Sequence, residues 1–279
     1  VKLIEALDID EERIIALVGA GGKTTSMFLL GRELAALGRK VVLATTAKLY
    51  PPPPGQIPLV LESEASSLEG GVAAALAKAD QVLVGAGLAA GKITGLACGS
   101  LLKLAALPQV DMVVVEADGS RGLPLKFPGE HEPVICSADT LVVPVLGMSA
   151  LGARLSAANF HRHELACRYL EVEAGSEITP DLAARLLCHR RSYGRFLGRN
   201  RVIPLLNQVD SRDREDPAWE TARLLLAHGE INRVVIGAVQ TEQPVRAIIH
   251  RNGGLHHEIK TNGSFGLGDF VPGHGAGHC

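Results

Sequence analysis

Gly19-Ala20-Gly21-Gly22-Lys23-Thr24-Thr25 places a primary amine and two hydroxyls at the end of a glycine-rich run. The chemistry open to such a run is the binding of phosphate. Glycines let backbone N–H groups converge with no Cβ in the way. A lysine at this point reaches the outer phosphate oxygens, and the hydroxyl after it ligates Mg²⁺. On this reading Gly19, Ala20, Gly21, Gly22, Lys23, Thr24 and Thr25 cradle the phosphates, Lys23 also serves the transfer step, and Thr24 holds the metal.

A second concentration of chemistry is Glu116-Ala117-Asp118-Gly119-Ser120-Arg121, two carboxylates and a guanidinium behind an apolar run. Carboxylates delivered at the end of a buried strand are what a Mg²⁺–nucleotide site needs opposite its phosphate loop. Glu116 and Asp118 are read as metal-site and catalytic residues, and Arg121 as the group that stabilises charge on a transferred phosphoryl. The segment resembles the Asp-x-x-Gly element of GTP-binding proteins, which implies that the Gly119 N–H senses the terminal phosphate. Asn207-Gln208-Val209-Asp210 resembles their Asn-Lys-x-Asp element, with Asn207 fixing the loop and Asp210 accepting from the base. Gln208 stands where that element has lysine, so ATP and GTP both stay open. Thr45, Thr46 and Lys48, after another apolar run, are read as lying on the substrate side. So are Lys126, Glu130 and His131, from a proline-broken loop. Glu130-His131-Glu132 alternates faces in an extended segment, so all three do not converge on one ion.

These residues need elements to hold them. Arg13 to Val18 reads as a strand and Ser26 to Leu37 as a helix, by apolar spacing. Val41–Ala44, Gln81–Val84, Asp111–Val115, Thr140–Val145, Val202–Leu206 and Arg233–Ala238 read as further strands. Glu64–Ala79, Leu101–Leu107 and Pro217–His228 read as helices between them, and another is expected to begin at Phe160. Thr179-Pro180 is a helix start with a capping hydroxyl and proline at the first position. The pattern predicts an α/β fold of P-loop NTPase type, an open, mostly parallel sheet with helices on both faces. Ligands then sit at the carboxyl ends of the strands. Residues 1–245 form the nucleotide-binding domain with a mostly helical insertion at about 150–200, and 246–279 form a Gly/His-rich extension. A basic stretch from His189 to Arg201 could close over an anion.

The chain has 279 residues and a formal charge of −2, which argues against general nucleic-acid affinity. No apolar run is long enough to span a membrane, and no signal-type start is seen, so a cytoplasmic protein is expected. Cys98, Cys136, Cys167, Cys188 and Cys279 include no Cys-x-x-Cys pair and read as scattered thiols. His274 and His278 give the tail a weak metal-binding character.

Together these stretches resemble a known family. They are the glycine run to Thr25, Glu116 through Lys126 and on to Glu130-His131-Glu132-Pro133, His161-Arg162-His163-Glu164, Thr179-Pro180, and Leu206 to Asp210. The chain is similar to the YqeC-like selenium cofactor biosynthesis proteins, accessory to selenium-dependent molybdenum hydroxylases. That resemblance implies a nucleotide-binding protein using ATP or GTP with Mg²⁺, which helps such a client hydroxylase or its cofactor mature. The reaction itself stays open among an NTPase or phosphotransferase, a nucleotide-gated chaperone or switch, and a ligase of the Mur type, whose shortened glycine loop this one resembles.

Overall fold

Strand β1 (Ile14–Gly19) is buried along its whole length, and its alternate side chains enter two different cores. Ile14, Ala16 and Val18 join one apolar cluster, whereas Ile15 and Leu17 join the other. A strand apolar on both faces must be covered on both faces, which is the condition of a parallel sheet between helical layers.

The computed structural model describes residues 1–9, 11–63 and 67–251. In chain order its further strands are β2 (Val41–Thr45), β3 (Leu59–Leu61), β4 (Gln81–Gly85), β5 (Gly87–Ala89), β6 (Lys92–Thr94), β7 (Met112–Glu116) and β8 (Leu125–Lys126). They continue as β9 (Leu141–Gly147), β10 (Phe160–His161), β11 (Leu205–Asn207), β12 (Arg233–Gly237) and β13 (Val245–His250). The helices are α1 (Leu3–Ala6), α2 (Lys23–Ala35), α3 (Leu68–Leu76), α4 (Cys98–Ala106), α5 (His163–Leu170), α6 (Pro180–Cys188) and α7 (Glu215–Ala227).

Nine strands form one sheet in the order β13-β12-β11-β9-β1-β7-β2-β4-β3, and every pairing is parallel except β12 with β13. Helices α1 and α2 supply Leu3, Ile4, Met27 and Leu30 to one face. Helices α3, α4, α6 and α7 supply Val72, Leu104, Leu186 and Leu225 to the other. This is the α/β architecture that the strand and helix pattern predicts. Its register decides the chemistry. Gly19 lies opposite Val145, Glu116 opposite Leu17 and Thr45, and Asn207 opposite Gly147. The carboxyl ends of β1, β2, β7, β9 and β11 therefore share one rim.

Some local expectations change. A further glycine-rich segment, Gly85 to Gly95, contains a hairpin, β5 against β6, turning through Ala90 and Gly91 at φ of 51° and 72°. Two left-handed residues match the twist of the strands they join. Phe160 and His161 do not begin a helix. They pair in parallel with Leu125 and Lys126, and Arg162 at φ 58° breaks the chain before α5 starts at His163. Thr179 does cap α6, its hydroxyl accepting from Leu182 N at 3.2 Å with Pro180 at the first position. The sheet runs on past residue 245, where Val245, Ala247 and Ile249 are buried along β13. The rest of the Gly/His-rich extension, with His274 and His278, lies outside the described residues, as does the expected start of the third helix at Glu64. Cys98 and Cys136 are not scattered thiols but a disulfide linking the start of α4 to the loop after Pro133. Among the described residues no helix is long and apolar enough to cross a membrane.

Candidate functional site

Helix α2 begins at Lys23, directly after Gly22 in a left-handed conformation at φ 118°. The first helical bond is donated by Ser26 N to Gly22 O at 2.9 Å, so the N–H groups of Lys23, Thr24 and Thr25 have no acceptor within the helix. Such donors, with the helix dipole behind them, suit an anion. The loop tolerates nothing larger than glycine at Gly19, Gly21 and Gly22. A Cβ on Gly22 would come within 2.4 Å of Asn207 Nδ2, and one on Gly21 within 2.4 Å of the Gly147 Cα. Two of the loop amides are already committed. Ala20 N donates to Val145 O at 2.9 Å, and Gly19 N donates to both Asp118 carboxylate oxygens at 3.1 Å. Ala20 thus extends the β1–β9 ladder, and its N–H is not the phosphate ligand expected from the motif.

Lys23 is buried. Its Nζ donates to Gly19 O at 2.5 Å and lies 3.2 Å from Asp118 Oδ1 and 3.8 Å from Glu116 Oε1. Thr24 Oγ1 donates to Glu116 Oε2 at 2.6 Å. Burial pushes the Glu116 carboxyl above its ordinary pKa, with Lys23 and the Thr24 hydroxyl pulling the other way. A hydroxyl touching a carboxylate at the foot of a phosphate-type loop is a donor set of hard oxygens. It fits Mg²⁺, which takes one or two protein oxygens alongside phosphates and water. Thr24 and Glu116 would hold that ion, which would supply charge neutralisation at the phosphates.

Asp118 does not fit the metal role expected of it. Its oxygens take the Gly19 N–H, the Lys23 ammonium and, at 3.1 Å, the Lys126 ammonium. A carboxylate bridged by two cations is poorly placed to accept a third. Lys126 is likewise no substrate-facing group. It is buried, donating to Gly119 O and Glu132 Oε2, each at 2.6 Å. Among the described residues no three His, Cys, Asp or Glu side chains are grouped to hold a metal.

The other rim residues divide by role. Thr45 Oγ1 donates to Glu116 O at 3.0 Å and accepts from Ala47 N at 3.0 Å, which fixes the turn. The Thr46 hydroxyl is buried with no protein partner. Lys48, Glu130, His131 and Arg121 are exposed, the last at φ 54°. Asn207 ties the rim together: Nδ2 donates to Gly21 O at 2.7 Å, and Oδ1 accepts from Val239 N at 3.1 Å. Asp210 is ion-paired with Arg214, and Gln208 accepts from Ser149 Oγ at 2.6 Å. A cavity of about 760 Å³ lies beside the loop, lined by Thr25, Leu29, Arg32, Val239, Gln240 and Thr241 among others. Asp210 does not line it.

Motif reading missed the partners of Glu132. Arg162 Nη1 donates to its Oε2 at 2.6 Å, and Arg195 donates to its backbone carbonyl. Burial alone would raise the Glu132 carboxyl, but hydrogen bonds from Arg162 and Lys126 outweigh it and bring the pKa down to about 2. His161, beside Lys126 across the β8–β10 pair, is pushed below its ordinary pKa by burial first and then by Arg162 and Lys126. Arg195 belongs to the basic stretch read as an anion-binding cover; it is turned to the Glu132 loop instead.

The sequence family described as YqeC protein matches residues 15–164. A protein of Escherichia coli (strain K12) described as "Uncharacterized protein YqeC" is 36% identical over 156 residues, a match covering 53% of this chain and 57% of that protein. The chain therefore spans a little over half the length of that curated relative. Among solved structures, chloroplast FtsY from Physcomitrella patens overlaps loosely, with a TM-score of 0.39 and 13% identity over 85% of this chain and 63% of the other.

Proposed function

The chain belongs to the YqeC family, and from the geometry of its glycine loop we propose that it binds a nucleoside triphosphate with Mg²⁺ and hydrolyses it or transfers its phosphoryl group. The observation that carries this reading is the contact of Thr24 with Glu116 beneath the unpaired amides that open α2. Lys23 would leave Gly19 O and Asp118 to reach the outer phosphates, neutralising charge that builds during transfer. Glu116 would hold the ion with Thr24. Arg121 is an exposed cation on this rim that would be available to the transferred group. The cavity lined by Thr25, Leu29 and Val239 has room for a nucleoside next to the phosphates. Asp210 is paired with Arg214, which leaves the choice between ATP and GTP to experiment.

The finer role, in the cytoplasm and directed at a selenium-dependent molybdenum hydroxylase or its cofactor, rests on the family resemblance. Binding and turnover of ATP and GTP by the wild type and by Lys23→Ala and Glu116→Ala test the core of the proposal. Either variant turning over like the wild type would refute it.

A second reading, a nucleotide-gated switch or chaperone with slow turnover, is favoured by one feature. Asp118, read from the motif as a catalytic carboxylate, has its oxygens occupied by two ammoniums and an N–H. Binding of a client hydroxylase in one nucleotide state but not the other would support this reading.

A further inference from the structure

An unbroken line of alternating charge runs from the glycine loop into the helical insertion. Lys23 Nζ is 3.2 Å from Asp118 Oδ1, and Asp118 Oδ2 is 3.1 Å from Lys126 Nζ. Lys126 Nζ is 2.6 Å from Glu132 Oε2, which is 2.6 Å from Arg162 Nη1. The first three side chains are closed to solvent, and the last two are about seven-tenths covered. Both ends of the insertion meet at Glu132. Arg162 is the residue immediately before α5, and Arg195, after α6, donates to the Glu132 carbonyl. Arg162 holds a left-handed backbone at φ 58° to do so, a conformation that costs an L-residue free energy and persists where surrounding contacts fix it.

We infer that Lys126 is a positioning residue that couples occupancy of the glycine loop to the α5–α6 insertion. The inference rests on the proposal that Lys23 engages phosphate. When Lys23 turns to a phosphate, Asp118 loses one of its two ammoniums. A buried carboxylate does not stay under-compensated cheaply, so Lys126, shared between two carboxylates, is drawn towards Asp118. The Glu132 carboxylate then leans on Arg162, and the start of α5 is held more tightly. Polar chains in a low-dielectric interior transmit such shifts because each link depends on its neighbour. The readable consequence is that the insertion reports the state of the phosphate site.

The test is hydrogen exchange of the full chain with and without Mg²⁺ and the non-hydrolysable analogues of ATP and GTP. A parallel titration with the same analogues in fluorescent form reads binding separately. The wild type should show exchange in α5 slowed by at least about fivefold on binding, the low end of ordinary coupling. Glu132→Gln should bind the analogue yet lose the slowing, as should Lys126→Met, whereas Lys126→Arg should restore part of it. Failure of the wild type to bind either analogue would overturn the proposed function and this inference with it. Binding with unchanged exchange in α5 would overturn the inference alone. That arm needs no variant, so poor folding of Lys126→Met does not blunt it.

Discussion

Lys126 Nζ stands 3.1 Å from Asp118 Oδ2, with both side chains closed to solvent. Since Lys23 reaches the other oxygen of the same carboxylate, Asp118 is the one anion between two buried ammoniums. Removing its charge would leave those ammoniums facing each other with Glu116 and Glu132 as their remaining counter-ions. Asp118→Asn should destabilise the fold by about 3–5 kcal/mol, the usual cost of breaking a buried pair. Chemical denaturation measures this. A change within about 0.5 kcal/mol, the size expected of an indifferent surface site, would show that the carboxylate is not the keystone of the loop.

Asn207 should matter for stability as much as for ligand binding. It is buried and serves two backbone groups, Gly21 O and Val239 N, from elements far apart in sequence. Asn207→Ala leaves both without a partner, so a loss of about 2–4 kcal/mol is expected in thermal or urea unfolding. Nucleotide affinity should fall as well, because the loop and the cavity wall at Val239 are no longer tied together.

The Glu132 cluster makes a specific demand on pH. Its carboxyl is held at about 2, below the ordinary value of 4.5. A depressed carboxyl contributes stability that is complete above the unfolded pKa and fades as pH falls through the folded one. The stability gap between the wild type and Glu132→Gln should therefore be constant above about pH 5 and close progressively towards pH 2. Unfolding midpoints measured across that range check it; a gap independent of pH would mean that the ion pairs contribute nothing.

Reduction of Cys98–Cys136 should be felt at the same loop. The bond closes a separation of 38 residues, and loop-closure entropy alone puts its contribution at roughly 4 kcal/mol. Cys98→Ser, or the wild type in excess reductant, should unfold at lower temperature than the oxidised protein. Equal melting temperatures would show that the bridge adds no constraint.

The parts of the site legible in the sequence were those written in local pattern. The apolar run of β1, the glycine turn and the helical spacing of α2 specify one another over a few residues, and so do Glu116 and Asp118 at the end of β7. What the sequence hid was pairing at a distance. Arg162 and Arg195 lie 30 and 63 positions from Glu132, and nothing in a basic stretch says which carboxylate it will face. Lys126 looked like a loop residue because β8 spans two positions, Leu125–Lys126, too few to show alternation. Its partner strand β10 was absorbed into the helix that follows. β13 was hidden for the opposite reason. Its buried Val245, Ala247 and Ile249 alternate with the half-buried Arg246, Ile248 and His250, and charge is more conspicuous there than the alternation. The motif gives residue types, whereas the shortened loop decides which N–H groups, such as that of Ala20, are spent on the sheet.

The central claim is that one rim of the sheet grips a triphosphate and its divalent ion through Lys23, Thr24 and Glu116. Isothermal titration of the wild type with ATP and with GTP, each with and without Mg²⁺ and each repeated on Lys23→Ala, tests it most directly. The account predicts saturable binding of at least one nucleotide, strengthened by Mg²⁺ and weakened about 30-fold or more by Lys23→Ala, in line with truncating one partner of a buried charge contact. No heat of binding for either nucleotide, or equal affinity in the variant, would contradict it.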